Sequence, residues 1–226
     1  GVEENPDWAA ELRRDLDAAP VNQHWLPGIA DQLGAARAIG FSQGGAPFVS
    51  FADPDDRVMS GTFVRLLQAL QDKPGAPFAW SGEQRVDADL MPIGQPSIYP
   101  DGYSARRHRN MASYVQGVVL IRRSALVPVL GVLRQCGMEA DGVLFAHLAK
   151  LQTDLPTEGQ PVHVPIVGRL WRQHANNHRT LSASARARGQ QLAGVAPQYL
   201  HVTRQAARTS GAYAPCASCG PPRKRG

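Results

Sequence analysis

The chain has 226 residues, 43% hydrophobic and 19% charged, enough for one sizeable core and too short for two full domains at about 150 residues each. No run of about 18 apolar residues exists to cross a bilayer, and the opening Gly1-Val2-Glu3-Glu4-Asn5-Pro6 lacks the basic-then-apolar order of a signal peptide, so a cytoplasmic protein with no membrane partner is expected. Charge is split: residues 1–105 carry 15 acids and 7 bases, residues 106–226 carry 4 acids and 17 bases, on a net charge of +5. A basic half of this kind attracts partners with negative charge, a nucleoside diphosphate or a nucleic acid.

In chain order, Asn5-Pro6 opens a predicted helix over 6–19, with Trp8, Leu12 and Leu16 on one face and Pro20 as its stop. A short strand over 21–26 and a helix over 30–39, ended by Gly40, follow. Pro47-Phe48-Val49-Ser50-Phe51-Ala52 has the profile of a buried strand and runs directly into Asp53-Pro54-Asp55-Asp56. Phe63, Val64, Leu66, Leu67 and Leu70 give the next helix its apolar face before Lys73-Pro74-Gly75 breaks it. Residues 78–81 and 84–90 read as a hairpin about Gly82, and 92–112 as a polar loop, functional or mobile, rich in Pro, Tyr and Arg. A strand over 114–121, a helix capped by Ser124, a helix over 141–151 and a last strand over 162–167 complete the pattern. Beyond residue 180 periodicity fades and the chain ends in Pro221-Pro222-Arg223-Lys224-Arg225. The alternation of strands and helices predicts a single α/β domain over 1–180 with a mixed, mainly parallel sheet, followed by a basic, partly disordered, flexible extension over 181–226. Cys136, Cys216 and Cys219 are an odd set at no framework spacing, and Cys216-x-x-Cys219 has no second pair to complete a zinc site.

The chemistry concentrates in the acidic turn. Three carboxylates within four residues, at the end of a buried strand, repel one another unless positive charge sits between them, and a divalent cation is the usual answer. An acidic turn that merely caps a helix has the same composition, so the pattern alone leaves both readings open.

Four segments in order resemble the signature of the GT-A fold glycosyltransferases, above all the inverting family 2. Ala36-Arg37-x-x-Gly40 followed by Pro47 to Asp56 is similar to the family's A-R-N-x-G and F-L-D-x-D-D motifs. Gly117 to Arg123 resembles its G-x-x-x-x-R-R strand, Glu139-Ala140-Asp141 its E-D pair, and Arg169-Leu170-Trp171-Arg172-Gln173-His174 its Y-R-x-H. The resemblance covers about residues 34–180 and implies a GT-A-like, Rossmann-like domain that moves a sugar from a nucleotide-sugar donor, a UDP-sugar first, with Mn²⁺ or Mg²⁺. It implies Asp55 as metal ligand with Asp56 and His174 as further ligands. Asp53, Arg37, Gly117, Arg169 and Arg172 become donor-binding residues, and Asp141 the catalytic base with Glu139 as runner-up, although Ala140 stands where the family has a glutamate. The family's opening strand and P-x-Y/F-N turn have no clear counterpart, so either Glu3 and Glu4 close a shortened first strand and take over the nucleobase contacts, or the natural chain starts earlier. The basic half suits a polyanionic acceptor, and the resemblance, which extends to phage proteins, implies a hydroxymethylated pyrimidine in phage-type DNA inside a bacterium or a phage-infected cell, with Arg106, Arg107, Arg109, Arg122 and Arg123 on phosphates. An envelope glycan or protein acceptor is the alternative, and a non-catalytic nucleic-acid binder is a reading from outside this class.

Overall fold

The computed structural model describes residues 10, 14, 18, 32–53, 55–151, 159–173 and 183–194. The predicted helix over 6–19, the strand over 21–26, His174, Cys216 and Cys219 lie outside the described residues, apart from the isolated residues 10, 14 and 18.

Helix α1 (Leu33–Ser42) leads to strand β1 (Phe48–Val49), the acidic turn, strand β2 (Arg57–Val58) and helix α2 (Thr62–Asp72). Strand β3 (Phe78–Val86), helix α3 (Ala105–Asn110) and strand β4 (Val119–Arg122) follow. Then come the short helices α4 (Arg123–Leu126) and α5 (Leu130–Leu133), helix α6 (Ala140–Leu148), strand β5 (Val162–Arg172) and helix α7 (Ala183–Ala193).

The five strands form one mixed sheet in the order β1-β4-β3-β5-β2. The expectation of a mainly parallel sheet is corrected: β1–β4, β3–β4 and β2–β5 pair antiparallel, and β3–β5 alone pairs parallel. The physical reason is an inserted strand. β1 and β3 run in the same direction, as a strand-helix-strand unit predicts, but β4 enters between them from the opposite direction. The carboxyl ends of β1, β3 and β5 consequently share one edge of the sheet, and the acidic turn leaves from it.

Two hydrophobic clusters cover the sheet. The larger joins Phe78, Trp80 and Ile121 to Val143, Leu144, Phe145 and Leu148 of α6, and the smaller sets Leu66 and Leu70 of α2 on Ala79, Val118 and Leu120. Leu66 and Leu70 lie one turn apart and are fully buried, whereas Phe63 and Val64 stand 41% and 72% exposed, so the buried stripe of α2 is narrower than its composition suggests.

Other expectations shift with the packing. Residues 78–86 are one strand rather than a hairpin; Gly82 marks a register shift against β5, and the segment around Pro92 and Ser97 folds back on β3 instead. Helix α1 runs on through Gly40 to Ser42. The helix expected to be capped by Ser124 starts at Arg123 and is broken into short turns around Pro128. Strand β5 extends five residues past Val167 to Arg172, which puts Arg169 and Arg172 inside it. The stretch after 180 contains α7, whose Ala193 is fully buried and whose Leu192 carbonyl accepts a hydrogen bond from His147 Nε2 at 2.6 Å. The loop over 92–112 is anchored: Tyr99, Tyr103 and Tyr114 pack with Trp80, His108 and His163 in one block of rings, and Tyr114 Oη donates to the Gly102 carbonyl at 3.0 Å.

Candidate active site

The site starts from a glycine. A Cβ on Gly34 would lie 2.1 Å from the Leu133 carbonyl oxygen, so only glycine lets α1 close on the 133–136 turn, where its amide donates to the Cys136 carbonyl at 3.2 Å. One turn further on, Arg37 is thereby carried to the first turn of α6. Its guanidinium donates to Asp141 through Nη1, with Nη2 3.5 Å from the second carboxylate oxygen, and Nη2 also lies 3.8 Å from Asp53. The Phe51 ring lies beneath it at 5.2 Å. Arg37, Asp53 and Asp141, from three separate segments, thus form one cluster, with the arginine side chain 9% exposed and the carboxylates about half exposed at 48% and 53%.

Burial alone would lower the Arg37 pKa, but Asp141 and Asp53 outweigh it and hold the charge firmly. The Asp53 carboxyl is pushed up, first by burial and then by the charge of Asp141, against the pull of Arg37 and Arg169. Negative charge is in excess here, with Asp55 one turn position away and exposed.

Asp56 faces the other way. Its side chain is 3% exposed, one oxygen accepts the Arg172 amide at 3.2 Å, and the other lies 3.2 Å from Arg169 Nη1. Burial pushes its carboxyl up to about 6 in spite of that arginine. Arg169 turns its remaining nitrogens to Glu83, with Nε donating at 3.1 Å and Nη2 in direct contact, and the Gly117 amide donates to the same Glu83 oxygen at 3.3 Å. Asp56 is therefore committed inward, and Asp53 and Asp55 are the outward pair of the turn.

Several expected roles change with this placement. At Gly117, with φ +74°, a Cβ would lie 2.6 Å from the Gly82 and Ser81 carbonyl oxygens of β3, so the missing side chain is accounted for by the protein's own packing. The Arg172 guanidinium is spent on the Ala88 carbonyl at 2.7 and 3.1 Å. Glu139 is fully buried, accepts the Gly137 amide at 3.1 Å and pairs with Arg188 at 2.9 Å, which removes it from any acceptor's reach. Of the arginines expected on phosphate, Arg122 donates to the Ala76, Leu70 and Lys73 carbonyls and Arg123 to those of Ala46 and Phe41, closing the C-terminal ends of α2 and α1. Arg109 reaches the Leu151 carbonyl and Arg107 pairs with Asp101.

The acidic turn does not line the half-open cavity of about 620 Å³ at the opposite edge, where the amino ends of β3 and β5 meet Lys73, Tyr103, Gln160 and His163. Among the described residues, no three His, Cys, Asp or Glu side chains converge as a metal cage. Asp53 and Asp55 are two carboxylates in a region of excess negative charge, the donor type a hard divalent cation takes, and are the residues that would hold one. Glu83 is the residue that sequence reasoning missed; the signal was a carboxylate placed beside a glycine in the middle of an apolar strand.

No protein-family model and no curated protein matches this chain. Among the described residues, no helix is long and apolar enough to cross a membrane.

Proposed function

We propose that the protein is a GT-A-like glycosyltransferase that moves a sugar from a nucleoside diphosphate to a hydroxyl group, with inversion. One observation carries the reading: Arg37, Asp53 and Asp141, each from a different motif of the resemblance and spread over more than a hundred residues, meet at the edge where β1 and β5 end. Ligands of α/β sheets bind outside the carboxyl ends of their strands.

In this reading the acceptor oxygen attacks the anomeric carbon, the bond from that carbon to the diphosphate breaks, and the acceptor's proton passes to a carboxylate oxygen of Asp141. Asp53 and Asp55 would hold a divalent cation, which would supply charge against the departing diphosphate. Arg37 has two tasks. In the ligand-free state it neutralises Asp141, and its transfer to a diphosphate oxygen frees that carboxylate to act as a base, because an arginine fork suits phosphate as well as carboxylate.

The test is nucleotide release from a panel of nucleoside diphosphate sugars, UDP-sugars first, with Mn²⁺ or Mg²⁺. Acceptor arms hold hydroxymethylated duplex DNA and envelope-type glycans. Release that needs both cation and Asp141 supports the proposal, and no donor binding or turnover across the panel overturns it. A DNA acceptor would have to be held by residues other than Arg122 and Arg123, which are spent on helix carbonyls.

A further inference from the structure

We propose that Glu83 is a positioning residue for the acidic turn, acting through Arg169; the inference rests on the reading of Asp53 and Asp55 as the cation-binding pair. Glu83 sits in the central strand at 2% exposure, where an unpartnered carboxylate is costly. The strand is bulged at this point, with register shifts on both sides of Gly82, and the bulge turns Glu83 towards Arg169 on β5.

Three of the Arg169 nitrogens are in use: Nε and Nη2 meet Glu83, and Nη1 reaches Asp56 at 3.2 Å. The planar guanidinium makes these contacts interdependent, since the two nitrogens fixed on Glu83 determine where the third points. Asp56 is thereby drawn inward, where its other oxygen takes the Arg172 amide, and the turn between β1 and β2 presents Asp53 and Asp55 outward. Glu83 also neutralises Arg169. Without Glu83, the charge of that arginine is opposed by Asp56 alone, and more of it acts on Asp53, in competition with any cation. Gly117 belongs to the same unit, because its amide closes on Glu83 from β4's side.

The test uses the full chain and two readouts. Glu83→Gln keeps the shape and removes the charge. It is expected to speed hydrogen exchange of the Arg172 amide, which touches Asp56 and not Glu83, by about tenfold or more, the scale of one charge-assisted hydrogen bond. Mn²⁺ affinity, titrated with the metal alone, is expected to fall by about tenfold as well. If Glu83 acts through Arg169, the Glu83→Gln/Arg169→Gln double variant loses no more than Arg169→Gln alone. Unchanged exchange at Arg172 in Glu83→Gln, or losses that add in the double variant, overturn the proposal. Should the wild-type chain take up no Mn²⁺, the cation-site reading fails, and the Arg172 exchange with its double-variant cycle still decides the role of Glu83. If Glu83→Gln does not fold, Arg169→Lys, which keeps the charge and loses the fork, carries the same expectation at the Arg172 amide, and unchanged exchange there overturns it.

Discussion

The two edges of the sheet both bury polar side chains, and they do so by different means. At the amino edge, His108, His163, Tyr103 and Tyr114 are neutral groups packed ring on ring with Trp80: the Tyr99 amide donates to His163 Nε2 at 3.0 Å and the Tyr103 hydroxyl meets His108 Nδ1 at 3.2 Å, while His163 Nδ1 and Trp80 Nε1 are buried without a hydrogen-bond partner among the described residues. At the carboxyl edge the groups are ionic, and acids outnumber bases, with Asp53, Asp55, Asp56, Glu83 and Asp141 around Arg37 and Arg169. A neutral, ring-packed block is what structure requires. Excess charge held at half exposure is costly to folding and marks the edge where a charged ligand would complete the balance.

The largest expected effect tests the structural side. Trp80 is fully buried and touches Phe78, Tyr103, Tyr114 and His163. Trp80→Ala should cost about 3–5 kcal/mol in denaturant unfolding. A loss below about 1 kcal/mol would mean that the ring block is not what anchors the loop over 92–112.

On the opposite edge, if Asp141 is the base proposed above, Asp141→Asn should reduce sugar transfer in the folded fraction by about a hundredfold to ten-thousandfold without weakening donor binding, since a base acts in the transition state and Arg37 no longer has to leave a carboxylate. If Asp141 only anchors Arg37, stability falls instead and the folded fraction keeps its turnover. Melting temperature and turnover on one preparation separate these outcomes.

The edges also differ in their response to acid. Burial lowers His163 to about 4 and His108 to about 3, below the unfolded value of about 6.5. Both groups are neutral in both states at higher pH, so their stability contribution is complete above about 6.5 and is lost as pH falls towards the folded values, because the unfolded chain takes up protons first. Asp56, raised to about 6, works in the opposite sense and gains stability as it is protonated below that pH. Comparing His163→Gln with the parent chain isolates the ring: between about pH 6.5 and 4 the variant's stability should fall less steeply by up to about 1.4 kcal/mol per pH unit. Parallel slopes would show that His163 is protonated in the fold.

How much of this was legible follows the range of the interactions. Leu66 and Leu70 as a buried stripe and Asp141 at the start of a helix are local patterns, and each appears where its residues indicate, whereas the buried strand expected over 47–52 shrinks to the two half-buried residues Phe48 and Val49 at the edge of the sheet. The insertion of β4 between β1 and β3 is a long-range choice with no local mark, and it turned a parallel expectation into a mostly antiparallel sheet. The site divides in the same way. Arg37 and Asp53 were named from motifs, but Glu83 gains its meaning only when β3 and β5 align it with Arg169.

Arginines show most sharply why charge count is a weak guide to a partner. Arg123 lies in the basic half, yet its Nη1 donates to the Phe41 carbonyl at 3.0 Å, its Nε donates to Ala46, and its guanidinium covers the Phe41 ring at 4.2 Å. These contacts close the C-terminal end of α1, where exposed carbonyls and the helix dipole both favour a cation. Arg123→Gln should therefore cost about 1–2 kcal/mol of stability, less than the loss at Trp80, through hydrogen bonds from a charged donor. Arg106 is the control: it is exposed on α3, and Arg106→Gln should change stability by less than about 0.5 kcal/mol. A nucleic-acid partner, if one binds, gives the converse pattern in a salt titration, because only a phosphate-facing residue lowers the slope by about one counterion when its charge is removed. Arg123→Gln with normal stability and a reduced salt slope would reverse the assignment and return this arginine to the binding surface.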